Sequence, residues 1–182
     1  MKEKTFFAGF GGQGIISLGQ IWCYCGMKEG KEVSFIPFYG AEKRGGIARA
    51  NCIISDSPIT SPVISRANSV VVMNQDSLNE GLSLLSEGGL LLVNDSLVDI
   101  KNNGALKDRF RVVSISATNI AETLGNTKIA NMVMLGALAR ETGALSLKTV
   151  EKILESFFPP NKQFLVPLNV QAIQEGMNKT HA

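Results

Sequence analysis

The chain has 182 residues, 45% of them hydrophobic and 19% charged, with 18 basic residues against 16 acidic ones and a formal net charge of +2. Such a composition supplies a packed core and excludes a disordered chain, while the near-balanced charge argues against general affinity for nucleic acid or a membrane surface. Three cysteines (Cys23, Cys25, Cys52) with no C-x-x-C pair, and one histidine (His181) at the chain end, argue against a disulfide framework, an iron–sulfur cluster held by this chain alone, and a histidine-based triad or zinc site.

Residues 5–10 form a short apolar run that ends in glycines and predict a buried strand. The lead-in before it is too short for a secretory signal, and with the odd cysteine count this points to a reducing cytoplasm. Residues 13–28 carry apolar positions at Ile15, Ile16, Leu18, Ile21, Trp22, Tyr24 and Met27, which suits a helix with a wide buried face. Cys23 and Cys25, two apart on it, face different ways and are not a redox pair. Strands follow over 32–37 and 47–55, joined by a glycine-containing charged loop over 38–46. Asp56-Ser57-Pro58 turns the chain, with Asp56 suited to an Asx-turn. Residues 69–73 read as a strand. Asp76 is placed to cap a helix over 77–86, ended by Gly88-Gly89. Residues 90–93 are another apolar strand, 94–105 a polar loop, and 111–115 the next strand.

The last third reads as helical. A short helix lies near 119–124, and another over 128–142 has Asn126 or Thr127 as its cap and Gly143 just past its end. A third, capped by Ser146, runs to about 158, Pro159-Pro160 breaks the chain, and a last helix covers 167–177. The nearly uncharged helical stretch 129–139 is 11 residues long, short of the roughly 20 needed to span a bilayer. Strands that are apolar throughout, alternating with helices, predict a three-layer α/β/α fold with a mixed, mostly parallel sheet. The helix-free link between the second and third strands predicts an antiparallel pair there. The whole chain, 1–182, reads as one domain.

Three features stand out as candidate sites. Gly9-Phe10-Gly11-Gly12-Gln13-Gly14 matches G-x-G-x-x-G between a strand and a helix, the setting in which backbone N–H groups face an anion. Gly11 and Gly12 are expected to need backbone freedom or a close approach that a Cβ would forbid. The second strand ends without the acid that would hold a ribose, so the dinucleotide fingerprint is incomplete. Close glycine packing, a bound phosphate and a bound partner chain all remain open for the elbow. Tyr39-Gly40-Ala41-Glu42-Lys43-Arg44-Gly45-Gly46 is too polar for core and too glycine-rich for regular structure. Lys43, Arg44 and Arg49 suit phosphates or partner carboxylates, or else the loop is a solvated one. Asn131, in an otherwise apolar helix, must find hydrogen-bond partners, and orienting a loop is the expected role. No paired carboxylates, histidine dyad or metal spacing is visible, so the chain reads as a subunit or binding module.

Gly9 to Ile15, Tyr39 to Gly46, Ile54 to Ile59 with Ser61-Pro62-Val63, Asn74-Gln75-Asp76, Gly88-Gly89 with Asn94, and Leu124-Gly125-Asn126 with Ala130 to Ala137 together resemble the gamma subunit of 2-oxoacid:ferredoxin oxidoreductases. The order and spacing hold over about 6–143 and more loosely to Gly176. The sequence departs from the family at Ala41, where many members have proline, at Lys43, where many are uncharged, and at Ser116, a frequent proline position. The match is closer to the 2-oxoglutarate and branched-chain 2-oxoacid members than to the pyruvate ones. The resemblance implies a complex that decarboxylates a 2-oxoacid on thiamine diphosphate with magnesium, forms an acyl-CoA and reduces ferredoxin through iron–sulfur clusters. It implies alpha and beta partners, with a delta partner in some members, and places those cofactors outside this chain. The gamma chain would assemble the complex and shape the coenzyme A side of the site, with no catalytic residue and no metal of its own. The residues it singles out for cofactor or partner contact are Gly9, Gly11, Gly12, Gln13, Gly14, Tyr39, Glu42, Lys43, Arg44, Gly45, Gly46 and Asn131. A beta subunit of indolepyruvate ferredoxin oxidoreductase, with the same elbow and Arg-Gly-Gly loop, and a freestanding nucleotide-binding module are the other readings.

Overall fold

The structure, a computed structural model, describes residues 1–39, 46–100 and 104–179. Strands β1 (Lys2–Phe10), β2 (Glu32–Tyr39), β3 (Ile47–Ser55), β4 (Ala67–Val72), β5 (Leu85–Asn94) and β6 (Arg111–Ile115) form one sheet in the order β2-β3-β1-β4-β5-β6. β3 runs antiparallel to both β2 and β1, and the pairs β1–β4, β4–β5 and β5–β6 are parallel. The mixed, mostly parallel sheet expected from the sequence is therefore present. The link from β2 to β3, residues 40–46, is too short for the crossover that parallel neighbours need.

Helices α1 (Ile15–Lys28), α4 (Ala117–Thr123), α5 (Ala130–Thr142), α6 (Leu147–Phe157) and α7 (Val166–Lys179) cover one face, and α2 (Leu78–Leu84) and α3 (Gly104–Arg109) the other. Successive strand residues point to opposite faces. Phe7, Val71 and Leu92 thus join the first core with Leu18, Trp22, Met134 and Ile173, while Phe6, Val70 and Leu91 join the second with Leu78 and Phe110. Burial on both sides explains why β4 and β5 read as uninterrupted apolar runs. Cys23, Cys25 and Cys52 are all buried, and the thiols of Cys23 and Cys52 point at the carbonyls of Ser34 and Gly19, each at 3.5 Å.

α5 has no wet face over its first ten residues: Ala130 to Ala139 are all buried. It packs on α7 through backbone. A Cβ at Gly136 would collide with the carbonyl of Ile173, and one at Gly176 with the carbonyl of Val133. The two glycines thus set how closely these helices approach.

Several local features differ from the sequence expectation. Gly88 and Gly89 do not end a helix; they lie inside β5, which starts straight after α2. The ladder passes from Ala67↔Leu85 to Ser69↔Leu90, so extra residues bulge out there, and Gly88 has φ +71°. Glycine serves a bulge as well as a helix end, which is why the sequence misleads. Asp76 lies within a short 3-10 turn, Gln75–Ser77, and no side chain caps α2. The loop expected over 94–105 gives way to helix at Gly104, the start of α3. Asp56 does not build an Asx-turn: the Ser57 N–H goes to Ser55 Oγ at 3.1 Å, and the Asp56 carboxylate instead meets Lys31 Nζ at 2.8 Å and the Met1 amino group at 2.6 Å. Ser146 precedes α6 without a side-chain cap bond, and its own N–H goes to Glu29 at 2.8 Å. Asn126 accepts from the Lys128 N–H and Gly143 closes α5 at φ +58°, both as expected.

Gly136→Ala should destabilise the fold by about 3 kcal/mol, the upper end for overpacking, because the clash is with main chain. Gly30→Ala, where φ is +71° and no atom stands near, should cost only about 1 kcal/mol through the left-handed backbone. Urea midpoints of the two variants that coincide would contradict the tight helix crossing. The hydrogen bonds from Lys31 and the Met1 amino group hold the Asp56 carboxyl at about 2, below its ordinary value. A lowered carboxyl contributes stability above its unfolded pKa of about 4 that is lost as the pH falls through the folded value. Asp56→Asn should therefore lower the midpoint at pH 6, with an effect that shrinks as the pH falls toward and below about 2.

Candidate functional site: the glycine elbow at the sheet's switch point

β1 leads to α1 on one face, whereas its parallel neighbour β4 leads to α2 on the other. The crevice at their C-terminal ends is the place where open α/β sheets bind ligands. The elbow of residues 9–14 lies there. Gln13 holds it: its Oε1 accepts from the Phe10 N–H at 2.7 Å, its Nε2 donates to the Met73 carbonyl at 3.1 Å, and its own N–H reaches the Phe10 carbonyl at 3.1 Å. Gly11 N–H donates to the Gly46 carbonyl at 2.9 Å, tying the elbow to the start of β3.

Each glycine has a different reason. Gly9 is hemmed in, since an added Cβ would lie 2.7 Å from Gln13 Oε1 and 2.8 Å from Met73 Cβ. Gly12 has φ +97° with open space around it, so its need is purely conformational. At Gly14, φ is +74° and a Cβ would strike the Asn131 amide. Asn131, 7% exposed, donates from Nδ2 to the Gly14 carbonyl at 3.3 Å. This satisfies its amide and clamps the first turn of α5 against the elbow, the loop-orienting role expected of it. Helix α1 begins after Gly14, with no side-chain cap bond and no acid in its first turn. Its first-turn N–H groups have no intrahelical acceptors and give that end a partial positive charge.

A hollow of about 190 Å³ opens beside the elbow, lined among others by Gly12, Gln13, Met73, Leu97, Thr118 and Lys128. A larger one, about 740 Å³, lies beyond Leu97 at the ends of β5 and β6, with Asp95, Asp99, Ser114, Ser116 and Asn119 on its walls. Buried Asn94 holds the β5 end to α4 by donating from Nδ2 to Thr118 Oγ1 at 2.9 Å. Asp95 accepts from Ser116 Oγ at 2.6 Å.

The structure thus brings Gly9, Gly11, Gly12, Gln13, Gly14, Tyr39, Gly46 and Asn131 together around one elbow. Tyr39 is the last residue of β2 rather than part of a loop, and its hydroxyl lies over Gly11. Glu42, Lys43, Arg44 and Gly45 lie outside the described residues. Arg49 pairs with Glu80 at 2.6 Å within the chain rather than being offered to a ligand. Lys128, Thr118 and Leu97 join the site from over 80 residues away in sequence. The motif around Lys128 carries a helix-capping signal, which conceals the position of its amine. Among the described residues, no three His, Cys, Asp or Glu side chains are placed to hold a metal ion, and no helix is long and apolar enough to cross a membrane. A glycine-rich turn ahead of a helix start is chemistry suited to an anion, and the described residues around it include no nucleophile–base pair.

Gly14→Ala should cost about 1–3 kcal/mol through left-handed strain, and it should also displace Asn131. Asn131→Ala in the same background should recover part of that loss. Strict additivity of the two in a double-mutant cycle would show that they are not coupled.

Comparison with known proteins agrees with this architecture. The family described as pyruvate ferredoxin/flavodoxin oxidoreductase matches residues 4–179. The 2-oxoglutarate synthase subunit KorC of Methanothermobacter marburgensis is 34% identical, over 97% of this chain and 95% of its own. The ketoisovalerate oxidoreductase subunit VorA of Methanothermobacter thermautotrophicus is 31% identical over 96% of this chain, which spans only 36% of that longer relative. The solved gamma subunit of a keto/oxoacid ferredoxin oxidoreductase from Geobacter sulfurreducens superposes with a TM-score of 0.83, at 29% identity, over 99% of this chain and 97% of its own. A family match over residues 4–179, and a relative 34% identical over 97% of this chain, lead to one conclusion: the chain belongs to the pyruvate ferredoxin/flavodoxin oxidoreductase family.

Proposed function

We propose that this chain is the gamma subunit of a 2-oxoacid:ferredoxin oxidoreductase acting on 2-oxoglutarate or 2-oxoisovalerate. In this reading alpha and beta partners, with a delta partner where one exists, carry the thiamine diphosphate, magnesium and iron–sulfur clusters. The gamma chain assembles with them and holds the phosphate-bearing part of coenzyme A. The observation that carries the reading is the end-to-end correspondence with a relative of the same size, the KorC subunit, over 97% and 95% of the two chains.

The elbow supports the second half. A diphosphate in the hollow of about 190 Å³ would lie against Gly12 and Gln13, just ahead of α1, and beside Lys128. Gly12 presents backbone without a side chain, so an oxygen can approach closely. The Gln13 and Asn131 hydrogen bonds fix these groups in advance, so little ordering is needed on binding. Lys43 and Arg44 serve docking to the alpha subunit, through charge-assisted pairs at the partner surface.

Co-expression with the products of neighbouring genes tests the assembly. The chain should co-purify with thiamine-dependent partners and show no oxidoreductase activity or iron–sulfur absorption alone. Neighbours that lack a thiamine-binding chain, or a chain that remains alone, would overturn the reading. In the complex, Lys128→Ala should raise the KM for coenzyme A roughly tenfold or more, the loss of one charge-assisted hydrogen bond, and leave the KM for the 2-oxoacid unchanged. Lys43→Ala with Arg44→Ala should instead weaken assembly, most clearly at low salt where the wild-type pairs are least screened, as size-exclusion chromatography reads directly.

A further inference from the structure

Helices α1 and α6 lie side by side and run antiparallel. Tyr24 of α1 meets Phe157 of α6 edge to face, with ring centroids 6.1 Å apart, and at the other end Glu29 accepts the Ser146 N–H at 2.8 Å. Between these two contacts a groove opens, with a hollow of about 330 Å³. Its walls are Lys28, Lys148, Thr149, Lys152, Ile153 and Ser156, so three cations and no carboxylate line it. The nearby acids are engaged elsewhere: Glu29 by the Ser146 N–H, and Glu151 by Gln174 Nε2 at 3.4 Å. Among the described residues none of the three lysines forms an ion pair.

The needs of the helices do not account for this charge. Lys28 suits the last turn of α1. Lys148, however, stands in the first turn of α6, where the helix end is itself partly positive and no acid is present. Lys152 follows one turn later. The floor between these cations is apolar, since Ile153 is buried there, and exposed Tyr24, one turn before Lys28 on the same side of α1, continues the apolar surface.

We infer that this groove is the docking site for an acidic amphipathic helix of a partner subunit, an inference that rests on the gamma-subunit reading above. Charge complementarity selects the occupant. A small anion needs donors on the floor, and the floor here is Ile153. An extended polyanion, such as a duplex or an anionic bilayer, needs a broad basic face, which a chain of net charge +2 does not offer. An acidic helix matches the cations and the apolar floor together. Lys148 and Lys152 are one helical turn apart, about 6 Å along the axis. Glutamates at the same spacing on a helix laid along α6 meet them in register, and an apolar side chain of that helix rests over Ile153. Lysine, a point charge on a flexible stem, accepts a carboxylate over a range of positions.

The test is carbodiimide coupling in the assembled complex, which joins a lysine amine to a carboxylate in contact with it. Peptide mass spectrometry should find Lys28, Lys148 or Lys152 linked to a glutamate or aspartate of another subunit. Lys148→Glu with Lys152→Glu should lower the affinity for the partners about tenfold at low salt, because attraction becomes repulsion, and less as salt screens it. Glutamate favours the first turn of a helix, so the fold survives the reversal, which circular dichroism would verify. Lys148→Arg with Lys152→Arg should keep the affinity and lose the links at those two positions. A complex that assembles normally with the charges reversed, and without links from the groove, would overturn the docking site and leave the gamma-subunit reading standing. Links from these lysines to a second copy of this chain, or sedimentation with phosphatidylserine vesicles that the charge reversal abolishes, would overturn it in favour of a self-contact or a membrane. A chain that joins no partner at any salt concentration would overturn both.

Discussion

The contact on which the site depends is the one between α5 and α7, where two backbones meet with no side chain between them. A helix buried on all sides cannot choose its depth by amphipathicity, because it has no wet face to keep outward. Here the depth is set by Gly136 against the Ile173 carbonyl and Gly176 against the Val133 carbonyl. With α5 fixed between α7 and the sheet, its first turn falls where the Asn131 amide meets the Gly14 carbonyl, and the turn before it brings Lys128 to the hollow. The elbow's geometry is therefore a consequence of helix packing more than 100 residues further along the chain.

The reversed strand β3 gives the site its asymmetry. Were β1 flanked by parallel strands on both sides, both flanks would present strand C-termini and the turns that follow them. Because β3 runs the other way, its start, at Gly46 and Ile47, lies beside the end of β1 and accepts the Gly11 N–H. The same reversal aligns Ala48 between Gly9 and Tyr39. One flank of the elbow thereby gains an aromatic ring, while the parallel flank carries the polar ends of β5 and β6.

Much of this architecture is legible in the sequence, for identifiable reasons. Strands buried on both faces announce themselves as apolar runs, and β4 and β5 have nowhere else to go. Glycines after strands and helices mark real boundaries at residues 9–14 and at Gly143. The same residue misleads at Gly88-Gly89, because a bulge and a helix end both draw on positive φ, and only the strand partner distinguishes them. The elbow glycines and Asn131 are visible as locally odd residues. Lys128, Thr118 and Leu97 are not, because nothing local about a lysine in a capping turn reveals which loop it faces across the sheet. Tyr39 is legible as a residue of interest but not as the end of a strand, since the charged, glycine-containing stretch from Phe38 onward reads as a loop. Pro37 is tolerated because β2 is an edge strand.

The three buried thiols have a chemical consequence. Burial pushes Cys25 up to about 12, with Glu29 and Cys23 adding to the shift, and pushes Cys52 well above its ordinary value. Thiolate, the form that reacts with electrophiles, is scarce at neutral pH for these two, and Cys23 is shielded by its burial. The folded chain is accordingly silent to alkylating reagents, and its native cysteines become visible to them only when α1 separates from β3. The rate of alkylation therefore reports that opening, and a cysteine introduced on the surface would be the one labelled site on an otherwise unreactive background.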